Sequence, residues 1–163
     1  MKNIQEKIIH PLKPIFDTNS KILILGTMPS VKSRKNNMYY SHPKNRFWIV
    51  LATIFNDNIP LTNKEKEEFI LKHNLALWDV LKSCNIKGSS DSSITNPVFN
   101  NFDLLFKKCN IKAVFTTGKT ATKLYKYSTG KDSIYLPSTS PANCSISFNE
   151  LIIEYKKILD FLN

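Results

Sequence analysis

Short apolar runs alternate with amphipathic stretches along most of this chain. Lys21–Leu25, Leu75–Val80, Lys112–Thr116 and Ser133–Leu136 are brief, β-prone and apolar, and read as buried strands. Between them the apolar residues recur at helical spacing. Asn45–Phe55 sets Phe47, Trp48, Leu51, Ile54 and Phe55 on one face. Thr62-Asn63-Lys64-Glu65 has capping-box spacing ahead of a more polar helix containing Phe69 and Ile70. Ser147-Phe148-Asn149-Glu150 repeats that spacing ahead of Leu151, Ile152, Tyr155, Ile158, Leu159 and Leu162. Asn96-Pro97 fits an N-cap followed by proline at the first helical position, which predicts a helix through Phe99, Phe102, Leu105 and Phe106. Gly118-Lys119 turns the third strand into a helix carrying Ala121, Leu124 and Tyr125.

Strand alternating with helix predicts a three-layer α/β/α sandwich around a central sheet of about four parallel strands. No repeat or linker interrupts the pattern, so residues 1–163 read as a single domain. Loops leaving the carboxyl ends of parallel strands converge on one crevice. Here they are Gly26–Trp48, the end of Leu75–Val80 with the Ser-rich Lys87–Ser93, and Leu136–Asn143. The Ser-rich stretch reads either as a functional loop or as a disordered turn.

Charge adds a partner class. The chain carries 23 Lys and Arg against 13 Asp and Glu, a net charge of +10. That surplus fits a polyanion such as nucleic acid, or a merely well-solvated surface. The 3 cysteines, Cys84, Cys109 and Cys144, are far apart with no C-x-x-C spacing, so no zinc or iron–sulfur framework exists. They read as reduced thiols of a cytoplasmic protein. The N-terminal MKNIQEKIIHPLKP lacks an apolar targeting core, and no stretch is long enough to cross a membrane. The expectation is a soluble monomer without metal or cofactor, cytoplasmic and nucleoid-associated, or nuclear in a eukaryote.

Candidate chemistry concentrates in the converging loops. Gly118-Lys119-Thr120 ends like a phosphate-binding loop, but Ala113 stands where the pattern needs glycine, which excludes a nucleotide triphosphatase. Lys119 remains available to a phosphate. His10 and His73 read as surface residues, and His42 by itself as a structural hydrogen-bonding residue. Ser138 and Ser140 lack the glycines of a nucleophile elbow. Tyr39 and Tyr40 are adjacent, so both rings cannot point inward from a strand, and one is free to stack on a base. The stiff Pro137–Asn143 turn suits either a structural corner or a phosphate grip with a wedge into the DNA stack.

Three strings then resemble a known family. They are Gly26-Thr27-Met28-Pro29-Ser30, Tyr39-Tyr40-Ser41-His42-Pro43-Lys44-Asn45-Arg46-Phe47-Trp48, and Leu136-Pro137-Ser138-Thr139-Ser140-Pro141-Ala142-Asn143. Together they resemble the uracil-DNA glycosylase superfamily, most closely its hypoxanthine-DNA (deoxyinosine) glycosylases, family 6. Leu77-Trp78-Asp79-Val80 through Ser83-Cys84 and Gly88-Ser89-x-Asp91 is similar to that branch as well.

The resemblance implies a monofunctional, metal-free glycosylase acting on a deaminated purine in DNA. It places catalysis on Asn45 and base stacking on Tyr40, with Gly26, Thr27, Met28, Pro29, His42 and Asp79 around the base. Asp79 would orient base or water, or serve as a buried cap. Ser138, Thr139 and Ser140 would grip phosphates beside the lesion, and Pro141, Ala142 and Asn143 would fill the gap behind a flipped nucleotide. Met28 stands where mismatch-type uracil glycosylases carry Asn, and Leu136 where uracil-specific branches carry His, which favours hypoxanthine over uracil. The rival readings are a uracil or xanthine enzyme of the same fold, a non-catalytic DNA-binding domain, and an enzyme of small phosphorylated metabolites.

Overall fold

The four apolar runs form one parallel sheet. In the computed structural model, which describes residues 5–162, they are β2 (Ile22–Gly26), β3 (Leu75–Asp79), β6 (Ala113–Thr117) and β7 (Ile134–Leu136). Residues 1–4 and 163 lie outside the described residues, and with them the first positions of the N-terminal segment read above for a targeting signal. The strand order is β3-β2-β6-β7, with every pairing parallel. The chain leaves β2 toward one edge and returns on its other side, so the order reverses between β2 and β6. Crevices at such reversals, outside the strands' carboxyl ends, are where open α/β sheets bind ligands.

Period-two alternation assigns each strand residue to one of two cores. Ile22 and Ile24 of β2, Leu75 and Leu77 of β3, and Ala113 and Phe115 of β6 face one side. There they meet α2 (Phe47–Ile54), α3 (Asn63–Lys72), α6 (Phe148–Tyr155) and the following 3₁₀ turn Lys156–Phe161. Leu23, Leu25 and Ala76 face the other side, against α4 (Asp103–Lys108) and α5 (Lys119–Thr129). Caps fix the helix starts. Thr62 makes a full reciprocal capping box with Glu65, and Ser147 accepts from the Glu150 amide.

The second core has another wall that the alternation did not indicate. β1 (Glu6–Ile9), β4 (Leu81–Lys87) and β5 (Ser90–Phe99) form an antiparallel sheet in the order β1-β4-β5, which seats Leu81, Cys84 and Ile86 in that core. Two expectations are corrected by it. The Ser-rich stretch, read as either a functional loop or a disordered turn, is instead a tight hairpin whose residues Ser89–Ser92 line the cleft described below, with Gly88 at φ 60° in the turn and Lys87 paired to Ser90. Asn96-Pro97 does not open a helix. It lies within β5, and α4 starts only at Asp103. β5 is an edge strand, where proline loses no ladder bond, and Asn96 at φ 50° marks the bulge where the register shifts between Ser83 and Asn85. A six-residue helix, α1 (Val31–Asn36), also forms inside the segment after β2, capped by Ser30.

The C-terminal helix braces the loop after β7. The buried Tyr155 hydroxyl donates to the Pro137 carbonyl at 2.7 Å. Tyr155→Phe is expected to keep the fold and lower unfolding stability by about 1 kcal/mol, measured by urea titration. Unchanged stability would show that bond to be idle.

Candidate active site

All four parallel strands end on one cleft of about 790 Å³. Its lining includes Gly26 from β2, Asp79 from β3, Thr117 from β6 and, beyond β7, Ser138–Asn143. Thr27, Met28, Pro29, Tyr40, His42 and Asn45 complete it, so the three strings singled out in the sequence do meet. Lys119 does not line it. That residue stands exposed at the start of α5, one position beyond Gly118, whose added Cβ would come 3.7 Å from that of Ser138.

The centre is a junction between two loops. Asn45 Oδ1 accepts from the Phe47 amide at 2.9 Å, an Asx-type turn that starts α2. The same oxygen accepts from the Thr139 hydroxyl at 2.8 Å. These two donors fix the orientation of the amide and use both acceptor sites of Oδ1. Nδ2, which has no protein partner among the described residues, is the group Asn45 has left to offer. An Asn45 carbonyl holding water, or reading a base edge, does not fit this arrangement.

Thr139 is 1% exposed, and its hydroxyl is engaged by Asn45 inside the protein. Ser138 Oγ accepts from the Ser140 amide and Ser140 Oγ from the Ala142 amide, at 3.1 and 3.2 Å. Their hydroxyl protons stay free to donate. Arg46 was not singled out in the sequence, yet it clamps the junction. Its amide donates to the Thr139 carbonyl at 3.2 Å, and its guanidinium to the Asn143 and Ile146 carbonyls at 3.1 and 2.8 Å.

The two tyrosines separate, and both border the cleft. Tyr39 is buried, with its hydroxyl on the Lys13 carbonyl and its own carbonyl receiving the Trp48 indole N–H. Tyr40 adopts φ 52°, a left-handed conformation costly for a bulky residue, and stacks on Phe47 at 3.8 Å between ring centroids. Its hydroxyl meets Thr117 Oγ1 at 3.1 Å. Burial, with the Asp79 charge adding, pushes both phenols far above their ordinary range, so both remain neutral donors. His42 accepts the Lys44 amide on Nδ1, which leaves Nε2 to carry its proton.

The floor is acidic, and here the sequence reading of His10 is corrected. His10 Nε2 lies 2.7 Å from Asp79 Oδ2, with the two side chains 3% and 4% exposed. The Ile8 and Ile9 positions that precede it pair with Cys84 and Ser83 of β4, and this pairing carries His10 inward. No local signal marks it, because its partner lies 69 residues away. His73, also read as surface, stacks on Phe55 and bonds Asp57 at 2.8 Å.

A second carboxyl, Asp91, reaches the cleft from the hairpin. The residue as a whole is exposed, but its carboxyl end turns inward. Burial there raises its pKa, the Thr27 hydroxyl beside it offsets part of the rise, and the Asp79 charge adds to it. Thr27 Oγ1 is itself buried and makes no hydrogen bond of ordinary geometry. Ser89 ties the hairpin tip to the rim by accepting the Val31 amide at 2.9 Å. Among the described residues, no group of three or more His, Cys, Asp or Glu side chains is placed to hold a metal ion, and no helix is long and apolar enough to cross a membrane.

Known proteins resemble this chain in sequence and fold. The sequence pattern of the uracil DNA glycosylase superfamily matches residues 14–159, and the chain belongs to that superfamily. A hypoxanthine DNA glycosylase of Methanosarcina acetivorans is 34% identical over 139 residues, covering 83% of this chain and 88% of the relative. One from Methanosarcina barkeri is 36% identical over 108 residues, covering 65% and 68%. A Methanosarcina acetivorans protein, its solution NMR structure described as that of a candidate uracil DNA glycosylase, superposes with a TM-score of 0.75 at 27% identity, over 91% of this chain and 96% of that one.

Gly26 leaves the floor open. A Cβ there would lie 2.6 Å from Asp79 Oδ1 and 3.0 Å from the Tyr40 hydroxyl. Gly26→Ala is expected to displace one of them and cost about 1–3 kcal/mol, read as a lowered Tm together with a shifted Asp79 or Tyr40 side chain in a crystal structure. An unchanged Tm and an unmoved floor would show that the glycine is not needed.

Proposed function

We propose that this chain is a monofunctional DNA glycosylase that removes hypoxanthine from deoxyinosine in DNA, the first step of base excision repair. The observation that carries the reading is the Asn45–Thr139 junction in a cleft large enough for one nucleotide. The hypoxanthine preference is supported by the two curated relatives of that name.

A duplex hides the N-glycosidic bond, so the target nucleotide has to leave the stack, at a cost of about a few kcal/mol that is least for a poorly paired base. Tyr40, backed on one face by Phe47, stacks on the extruded base. Asn45 Nδ2 donates to the base or to the attacking water, and backbone amides of Thr27–Ser30 meet the negative charge that develops as the base leaves. Water then attacks C1′ of an oxocarbenium-like sugar. The hydroxyl protons of Ser138 and Ser140 meet the flanking phosphates, with exposed Lys119, Lys32, Lys35 and Lys44 adding charge. Pro141–Asn143 fills the space the nucleotide vacates.

The test is single-turnover excision from duplexes containing deoxyinosine, deoxyuridine or deoxyxanthosine, read as alkali-labile abasic sites. Deoxyinosine is expected to be cleaved fastest, and Asn45→Ala to slow it by about 10²–10³-fold, the range for losing one preorganised donor. Faster cleavage of uracil than of hypoxanthine would reject the substrate assignment, and full activity in Asn45→Ala would reject the role of that residue.

A further inference from the structure

Purines and pyrimidines leave a deoxyribose differently. Hypoxanthine carries N7 on its imidazole ring, and a proton placed there lets the base depart as a neutral molecule. Uracil has no equivalent nitrogen. A purine-excising cleft therefore gains from an acid aimed at that edge. Asp91 lines the cleft and takes no part in the stacking, water or phosphate contacts above.

We propose that Asp91 is the general acid of the reaction: its carboxyl, oriented by the Thr27 hydroxyl, donates a proton to N7 of the extruded hypoxanthine. This rests on the glycosylase reading given above and adds a catalytic and a positioning residue to it. The proton passes from the carboxyl to N7 as the C1′–N9 bond breaks. The bonding pair goes to the purine, which leaves neutral. Water adds to C1′, and its surplus proton returns to the Asp91 carboxylate through solvent. Between these events the carboxylate faces a cationic sugar, which its charge stabilises.

The geometry supports each part. Tyr40 and Asn45 lead into α2, which packs on one face of the parallel sheet, while the hairpin extends the antiparallel sheet that walls the other face. Asp91 and Asn45 therefore reach the cleft from opposite sides, and a base between them turns one side toward each. The hairpin is held in place. Ser89 Oγ accepts the Val31 amide at 2.9 Å, Ser93 Oγ accepts the Lys87 amide at 2.8 Å, and the Ser90 and Ser92 hydroxyls meet at 3.1 Å. Thr27 is 5% exposed, and its Oγ1 lies beside Asp91 without a hydrogen bond of ordinary geometry, so it is available to hold the carboxyl.

The surroundings favour the acid over the carboxylate. Asp91 makes no ion pair among the described residues. The ionisable groups that share the cleft with it are Asp79, Tyr39, Tyr40, His42 and Lys87, with Cys84 of β4 close enough to feel its charge. Burial keeps both phenols and the thiol neutral. Burial also raises the Asp91 pKa, the Thr27 hydroxyl offsets part of the rise, and the Asp79 charge adds to it. Two carboxyls whose environments differ in this way divide into one that stays charged and one that keeps its proton. Because Asp91 as a whole is exposed, it regains that proton from solvent. The hairpin thereby becomes the element that suits the cleft to a purine.

The test is the pH profile of single-turnover deoxyinosine excision at saturating enzyme, with heavy nitrogen at N7 as a second readout. Donation needs the protonated form, so the wild-type rate is expected to hold at low pH. It should fall as pH rises through the Asp91 pKa, above the ordinary carboxylate range. Heavy nitrogen at N7 should speed cleavage slightly, because N7 gains a bond in the transition state. Asp91→Asn keeps the shape without the acidic proton, and should slow excision by about 10²-fold and abolish the fall. Thr27→Val removes the hydroxyl that lowers the Asp91 pKa, and should move the fall to higher pH. A wild-type rate that rises with pH, which would make Asp91 a base toward water, would overturn the proposal even if a variant failed to fold. So would the absence of an N7 isotope effect, an Asp91→Asn with the wild-type rate or profile, or a profile unmoved in Thr27→Val. A wild type inert on deoxyinosine would instead reject the underlying glycosylase reading.

Discussion

Two loops that follow β2 and β7, strands which β6 separates in the sheet, must face each other for this cleft to exist. The hydrogen bond from the Thr139 hydroxyl to Asn45 Oδ1 joins them at the centre. Arg46 joins them again on either side, through its amide and its guanidinium, and Tyr155 braces the second loop from the C-terminal helix. One such bond contributes only about 0.5–1.5 kcal/mol net. Their common action matters more, because each ordered residue costs about 1–2 kcal/mol of backbone entropy. The junction also sets the chemistry of the site. By using both lone pairs of Oδ1, it turns Asn45 from a two-way hydrogen-bonding group into a donor.

Charge is divided between surface and floor. The chain carries a net +10, and Lys32, Lys35, Lys44 and Lys119 are exposed, whereas Asp79 and Asp91 face the cleft. A basic exterior attracts a phosphate backbone, while an acidic interior disfavours entry of a phosphate and suits a sugar that becomes cationic as its base departs. The left-handed Tyr40 fits the same division of labour. Its strained backbone holds the ring on Phe47 at the wall of the cleft, and strain of this kind persists only where packing over-determines it.

The parallel sheet was legible because its strands are continuously apolar and its helices are periodic and capped. The crevice followed from topology alone. The antiparallel sheet was not legible: β1 reads Glu-Lys-Ile-Ile, exposed at most positions, and β5 is Ser- and Thr-rich with a proline. Both are edge strands whose existence depends on pairing with β4, a long-range event that leaves no local period. Asn96-Pro97 misled for a related reason, since Asn-Pro serves a bulge on an edge strand as well as it serves a helix start. At the site, the motif residues could be read, but not the groups that hold them. Arg46 stood only as one letter of a motif string, Thr139 looked like a phosphate ligand and His10 like a surface residue. Each is assigned by a partner 69 to 100 residues away.

The most direct measurement is a crystal structure of the protein with a duplex containing 2′-fluoro-2′-deoxyinosine, whose fluorine slows glycosidic cleavage enough to trap the substrate. The account predicts an extruded hypoxanthine in the cleft, one face on Tyr40, with Asn45 Nδ2 within hydrogen-bonding distance of the base or of a water beside C1′, and the Asn45–Thr139 bond intact. A base still stacked in the duplex, or bound with Asn45 turned away from it, would contradict the account.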